Sequence, residues 1–247
     1  EQKRLAALFT LAEGRSAVTV ASIPGLLQRT IPPETLRRAA FEIDAGGSYP
    51  IEDVEAALLR CGYTRTEQVE GAGQFARRGG ILDFFSPSEH EPVRIEFWGD
   101  DVDSMGHFDV ASQRRTEPLE RCVILPAAET LPEMTAGGRD ALYREIESFA
   151  DKSGRRRTSE NAAALCATLR ADADRLRGAA LISDADRYLP IIYPMASAAD
   201  YIPEDALIIF DQPGRCGERA RDYTKQLAED IRELTRRGVL AMSPEAF

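Results

Sequence analysis

Gln74-Phe75-Ala76-Arg77-Arg78-Gly79-Gly80-Ile81-Leu82-Asp83-Phe84-Phe85 decides the fold: two short strand-forming runs meet across a Gly-Gly pair, which is hairpin chemistry. Two further segments of the same kind follow, Val93 to Trp98 and Val102 to Asp109, set off by the turn-forming Ser86-Pro87-Ser88 and Gly99-Asp100. Just upstream, Ile51, Val54, Leu58 and Cys61 recur at spacings of three, four and three, lining one face of a helix that Gly62 is placed to cap. The reading is a helix followed by antiparallel strands, a β-rich α+β module over about 48–118.

Its flanks have a different rhythm. Before it come a helix to about Ala12, a β-branched run Val18-Thr19-Val20-Ala21 read as a strand, a short helical piece from Pro24 to Leu27, and a short strand at Phe41-Glu42-Ile43. After it, a strand at Arg121 to Leu125 leads into helices expected at 138–151, 160–177 and 215–237. Leu165, Leu169 and Leu176 line the second of these, and Ala220, Tyr223, Leu227, Ile231 and Leu234 the third. The continuous apolar run Ala206-Leu207-Ile208-Ile209-Phe210 suits a strand buried on both faces of a parallel sheet. The fold class expected is α/β, interrupted by the β-rich module. Lys152 to Thr158, with Arg155-Arg156-Arg157, reads as an exposed basic connector, with phosphate contact as the alternative.

At 247 residues, 43% hydrophobic and 29% charged, the chain is long enough to bury a sizeable core and has a globular composition. Its 41 acidic against 31 basic residues leave a net charge of −10, which repels phosphate on average and favours a protein partner over sequence-independent nucleic-acid binding. Cys61, Cys122, Cys166 and Cys216 are scattered, form no Cys-x-x-Cys pair and accompany only two histidines, His90 and His107. That pattern gives neither a disulfide framework nor a zinc motif, so free thiols in a reducing cytoplasm are expected. The start, Glu1-Gln2-Lys3-Arg4, has no secretory apolar stretch and opens within a helix, so a piece of a longer cytoplasmic protein is expected.

Catalytic patterns are missing. There is no Gly-x-x-x-x-Gly-Lys-Ser/Thr phosphate loop and no Gly-x-Gly-x-x-Gly turn. Phe210-Asp211-Gln212-Pro213 resembles the position where motor ATPases place a magnesium-holding aspartate and a following glutamate, but Gln212 cannot take a proton from attacking water. Asp100, Asp101 and Asp103 fail as a calcium loop because Met105 and Ser112 occupy donor positions. His90 and His107 have no flanking pattern of a catalytic base and are read as surface residues. No catalytic, cofactor or metal residue is assigned.

One segment points to binding. In Val93-Arg94-Ile95-Glu96-Phe97-Trp98, alternation puts Val93, Ile95 and Phe97 on one face and Arg94, Glu96 and Trp98 on the other, so the only tryptophan joins the polar side. Tryptophan beside arginine is the composition of an interface anchor. Alternation alone leaves open that a loop or the preceding helix covers this face. An arginine of Arg77-Arg78 is expected beside Arg94 if the two strands pair.

The run from Gly73 to Phe85, with Val93 to Ser104, Phe108-Asp109 and Ser112-Gln113-Arg114, resembles the UvrB-type interaction domain, shared by the repair helicase UvrB and the transcription-repair coupling factors. Val18 to Ser22 with Pro24-Gly25-Leu26-Leu27-Gln28, and Tyr188-Leu189-Pro190, Asp200 to Pro203 and Asp211-Gln212-Pro213, resemble the coupling factors, and a UvrB fragment acting in damage recognition is the alternative. The resemblance implies a degenerate RecA-like domain in two halves, 1–47 and 119–247, with a UvrA-binding domain at 48–118 inserted between them. It implies UvrA contacts at Arg78, Arg94 and Trp98, the last a position where relatives commonly have phenylalanine. It further implies that RNA polymerase, DNA, ATP and magnesium are engaged by other parts of an ATP-dependent DNA translocase, with no cofactor and no catalysis here.

Overall fold

The structure, a computed structural model, describes residues 2–15, 18–155, 160–178, 182 and 184–247, the side chains at 154, 155 and 160 excepted. In chain order the elements are α1 (Gln2–Ala12), α2 (Ile23–Leu27), α3 (Pro33–Ala39), β1 (Phe41–Asp44), α4 (Ile51–Arg60), β2 (Thr64–Arg65), β3 (Gln74–Arg78), β4 (Ile81–Phe84), β5 (Val93–Trp98) and β6 (Asp101–Phe108). They continue with β7 (Arg115–Pro118), β8 (Arg121–Ile124), α5 (Gly138–Arg155), α6 (Glu160–Arg177), α7 (Leu189–Ile192) and α8 (Pro213–Arg236). Two compact units result: residues 1–15 with 33–131, and residues 16–32 with 132–247. Among the described residues no helix is long and apolar enough to cross a membrane.

The first unit is built on a six-stranded sheet in the order β2-β3-β4-β5-β6-β7. β3 through β7 pair antiparallel, and β2 runs parallel to β3. Gly79 makes the β3–β4 hairpin possible with φ +63, and a Cβ on Gly80 would stand 2.8 Å from the Phe97 carbonyl oxygen, so both loop positions call for glycine. Cross-strand partners share a face. Phe75 with Phe84, Leu82 with Ile95, Phe84 with Val93, Ile95 with Met105 and Phe97 with Val102 therefore form the inner face. α4 lays Ile51, Val54 and Leu58 against that face, and Tyr63, Ile43, Cys122 and Ile124 complete the core. Buried Tyr63 donates its hydroxyl to the Leu125 carbonyl at 2.7 Å, so its one polar group is satisfied. α4 is fixed at its edge by Arg77, whose guanidinium reaches Glu52 at 2.7 Å and Glu55 at 3.1 Å. The hydrogen bond from Arg77 holds the Glu52 carboxyl below its usual range.

Strands outside the 48–118 span read from sequence share its core. β1 pairs antiparallel with β8, and Ile43, Cys122 and Ile124 from these strands join the same core. The first helix also belongs with this unit: Arg4 pairs with Glu129 at 2.7 Å, and Gln2 Nε2 donates to the Ala72 carbonyl at 2.8 Å.

The second unit joins the stretch before the module to the stretch after it. Thr30 N donates to Ala196 O at 2.9 Å, Arg29 Nη2 to Tyr193 O at 2.8 Å, and the Tyr201 hydroxyl to Ile31 O at 2.7 Å. α5 and α6 bury Leu142, Ile146, Leu165, Leu169 and Leu176, as the sequence spacing requires. Buried Asp172 accepts the Tyr188 hydroxyl at 2.6 Å, and together these raise the tyrosine's pKa, burial being the larger cause.

Two expected strands are absent. Val18 to Ala21 and Ala206 to Phe210 lie in no strand, and Val20 is 93% and Leu207 86% exposed. A strand buried on both faces needs a neighbour on each side, and neither sheet of the described residues includes these segments. The apolar stripe of α8 is correspondingly half-covered, with only Ile231 buried. The Arg155-Arg156-Arg157 connector lies outside the described residues, apart from the backbone of Arg155 at the end of α5.

Leu58 is fully buried in the first unit's core, whereas its neighbour Leu59 is exposed. Leu58→Ala is expected to cost about 2–5 kcal/mol and Leu59→Ala about 0.5 kcal/mol or less, measured by urea unfolding followed by circular dichroism.

Candidate functional site

The outer face of the sheet carries the candidate site. By register it displays Ala76, Asp83, Arg94 and Gly106 in one cross-strand row and Arg78, Ile81, Glu96 and Ser104 in the next. Trp98 follows at the end of β5, opposite Asp101. A register shift between Glu96 and Phe97 leaves Asp103 as the extra residue of β6. Asp100, Asp101 and Asp103 thus belong to a hairpin.

The two rows have different environments. Over the first, Val69 from the 66–73 connection is buried with Ala76 and Phe108, and Phe85 packs beside them. Arg94 lies over the Phe108 ring, its guanidinium carbon 4.5 Å from the centroid. It grips Asp83 with two hydrogen bonds, Nε to Oδ1 at 2.7 Å and Nη2 to Oδ2 at 2.8 Å, and Nη1 donates to Gln113 O at 3.2 Å. Gln113 takes φ +58 at the turn that brings its carbonyl to this arginine. The Asp83 hydrogen bond raises the Arg94 pKa against the opposing effect of burial. With Arg94's side chain 18% and Asp83's 5% exposed, this is a largely desolvated, bidentate pair.

The second row is open. Trp98 is 83% exposed, and Ile81 and Arg78 are also exposed. Arg78 Nη2 donates to the Glu67 carbonyl at 2.8 Å, which steadies the side chain without covering it. Glu96 is held by Ser104 Oγ at 3.1 Å and by Arg115 Nη2 at 3.2 Å. The hairpin ends at Gly79-Gly80 and Gly99-Asp100 lie together, since Phe97 N donates to Gly80 O at 2.8 Å. Arg78, Ile81, Glu96 and Trp98 therefore share one end of the face.

The structure accordingly sorts the three residues named from sequence. Arg78 and Trp98 are exposed on one face, and Trp98 is not under α4, which packs on the opposite side. Arg94 is on that face as alternation requires but is tied down by Asp83, the Gln113 carbonyl and the Phe108 ring, so it is not an exposed residue. Nor does an arginine flank it: β4 lies between β3 and β5, and Ala76 is the β3 residue in its row. Ile81 and Glu96 were not singled out, and strand register was the missing information. His107, expected at the surface, is buried, because it pairs with Val93 on the inner face.

In the second unit, Asp211 and Gln212 border an open depression of about 480 Å³ together with Ile23, Arg215 and Arg219. Gln212 takes φ +56 ahead of α8, and its Oε1 accepts from Arg215 Nη1 at 2.8 Å.

With this geometry in view, the comparisons with known proteins give a class and then a relative. Residues 41–129 match the family described as the UvrB interaction domain, and that span begins at β1 and ends just past β8, as the core does. Over most of its length the chain is related to transcription-repair-coupling factors. It is 28% identical to that of Bacillus subtilis over 96% of this chain and 20% of the relative, and 30% identical to that of Haemophilus influenzae over 92% of this chain and 19% of the relative. Similarity to the Myxococcus xanthus protein is 37% identity over 52% of this chain and 11% of the relative. The chain thus spans about a fifth of the length of the coupling factors it matches along most of its own.

Removing Arg94 leaves the Asp83 carboxylate buried without its partner. Arg94→Ala is expected to cost about 3–5 kcal/mol in chemical unfolding, and Trp98→Ala about 0.5 kcal/mol or less. Replacing both members, Arg94→Met with Asp83→Leu, should recover most of the loss.

Proposed function

We propose that the open end of the outer face, Arg78, Ile81, Glu96 and Trp98, docks UvrA, and that the chain is a non-catalytic docking region of a transcription-coupled DNA-repair translocase. The observation that carries this reading is the 83% exposed indole of Trp98, set beside exposed Ile81 and Arg78 within a UvrB interaction domain. A rigid aromatic with an apolar neighbour and a charged rim is the composition of a binding hot spot. Arg94 contributes by position: clamped to Asp83, it fixes β5 against β4 and the height at which Trp98 stands.

UvrA recruitment to stalled RNA polymerase is the role this assigns to the whole protein. Polymerase, DNA, ATP and magnesium would be engaged by polypeptide outside this chain, in the cytoplasm. For the second unit we propose a degenerate RecA-like domain in two halves. Its support is that residues 16–32 and 132–247, which flank the inserted module in sequence, form one compact unit. Gln212 in place of a catalytic carboxylate supports assigning no hydrolysis to it.

Binding of purified UvrA to Arg78→Ala, Trp98→Ala and the unaltered chain tests the reading. Each replacement is expected to weaken binding by about 30-fold to 1,000-fold, the range for hot-spot truncations of about 2–4 kcal/mol, with the melting temperature unchanged. Unaltered affinity in both variants would place the docking surface elsewhere.

A further inference from the structure

The only two histidines in the 247-residue chain come together, and they do so beside a carboxylate. The ligand-capable atoms of Glu89, His90 and His107 all lie within 4.8 Å of one another, and the two imidazole rings are 4.6 Å apart between centroids at 61°. His107 stands in β6 on the inner face, paired with Val93, and is 4% exposed. Glu89 and His90 come from the connection between β4 and β5.

His107 is unusual for a buried polar side chain. Its Nε2 is 2.9 Å from Glu89 Oε2, but its Nδ1 is buried with no hydrogen-bond partner. Buried polar atoms are nearly always satisfied. An ordinary structural histidine in a core uses both nitrogens or leaves one facing water, and His107 does neither. The thiol of Cys122, also buried, stands 3.9 Å from Glu89 Oε1, so one oxygen of this half-buried carboxylate faces the inside of the module.

The backbone that presents these groups is held independently of them. Ser86 Oγ accepts from Leu125 N at 3.1 Å, Ser88 Oγ donates to Val123 O at 3.0 Å, and Phe108 N donates to Pro92 O at 3.0 Å. The connection is therefore anchored to β8 and β6 at both sides of Glu89 and His90. Ligands fixed in this way need little ordering on binding.

We propose that Glu89, His90 and His107 form a binding site for a divalent transition-metal ion of the zinc class. Two imidazoles and one carboxylate suit zinc, which takes nitrogen and oxygen donors in a four-coordinate shell with one position left for water. Calcium and magnesium prefer all-oxygen shells and are disfavoured by the same donor set. An ion here joins the β4–β5 connection to β6 and so braces the start of β5, the strand that carries Arg94 and Trp98. It also gives a role to His107, whose position on the inner face of β6 calls by alternation for an apolar side chain.

The test is titration of the chelator-stripped chain with zinc in competition with a chromophoric chelator, and with cobalt(II) as a spectroscopic substitute. One equivalent of metal should bind, cobalt should give the visible absorption of a four-coordinate or five-coordinate ion, and zinc should raise the melting temperature. His90 is exposed, so His90→Ala leaves the core intact and is the decisive variant. It should weaken zinc binding by about 100-fold or more, since even loss of groups that merely support ligands costs about 10-fold to 100-fold. It should also remove the zinc-dependent rise in melting temperature while the metal-free melting temperature stays where it was. No stoichiometric binding by the unaltered chain, or zinc binding that survives His90→Ala undiminished, would overturn the proposal and leave His107 and Glu89 as a buried hydrogen-bonded pair.

Discussion

A strand with a core on one side can hide only every second side chain, and β5 is placed so that this constraint shapes the whole first unit. Val93, Ile95 and Phe97 are taken by the core under α4. Arg94, Glu96 and Trp98 must then stand on the far face, whatever lies there. The register of β3, β4 and β6 against β5 decides their neighbours, and the two glycine-containing hairpin ends fix that register. Shifting β5 by one residue would bury an arginine, a glutamate and a tryptophan in place of three apolar side chains, so slippage is strongly opposed.

The outer face solves its own problem in two ways. Toward the 66–73 connection, it forms a small second core in which Val69, Ala76 and Phe108 are buried and the Arg94–Asp83 pair closes the polar remainder. A desolvated ion pair is weak evidence for stability in itself. Its consequence here is geometric, because the bidentate grip ties β4 to β5 through side chains as well as backbone. Toward the hairpin ends nothing described covers the face, and the largest exposed aromatic of the chain stands there. Rigid support on one half and exposure on the other is what a docking surface needs, since a preformed face loses little entropy when a partner settles on it.

The helix and strands of the module were legible because their signals are local. The spacing of Ile51, Val54, Leu58 and Cys61, the Gly79-Gly80 and Gly99-Asp100 turns and the alternation through β5 all translate directly into elements. What was not legible depends on partners distant in sequence. The face holding Trp98 could be read, but not the burial of Arg94, which comes from Asp83 across the hairpin, from Phe108 and from the Gln113 carbonyl. The inward side of His107 followed only once its pairing with Val93 was known. Val18 to Ala21 and Ala206 to Phe210 have strand composition without strand structure, because side-chain chemistry sets a preference and a sheet neighbour is needed to realise it. The shared core of β1 and β8 was not legible for a related reason: the two strands are some 80 residues apart in sequence, and only their pairing shows that one core contains both.

The central claim is that Trp98 stands in water until a protein partner covers it, and its being the only tryptophan makes that directly observable. The measurement is the fluorine spectrum of the chain carrying 5-fluorotryptophan, recorded alone and with saturating unlabelled UvrA. The account predicts a single solvent-sensitive resonance in the chain alone that shifts or broadens away on addition of UvrA. A resonance that ignores solvent composition in the chain alone, or that is unchanged when UvrA is demonstrably bound, would contradict it.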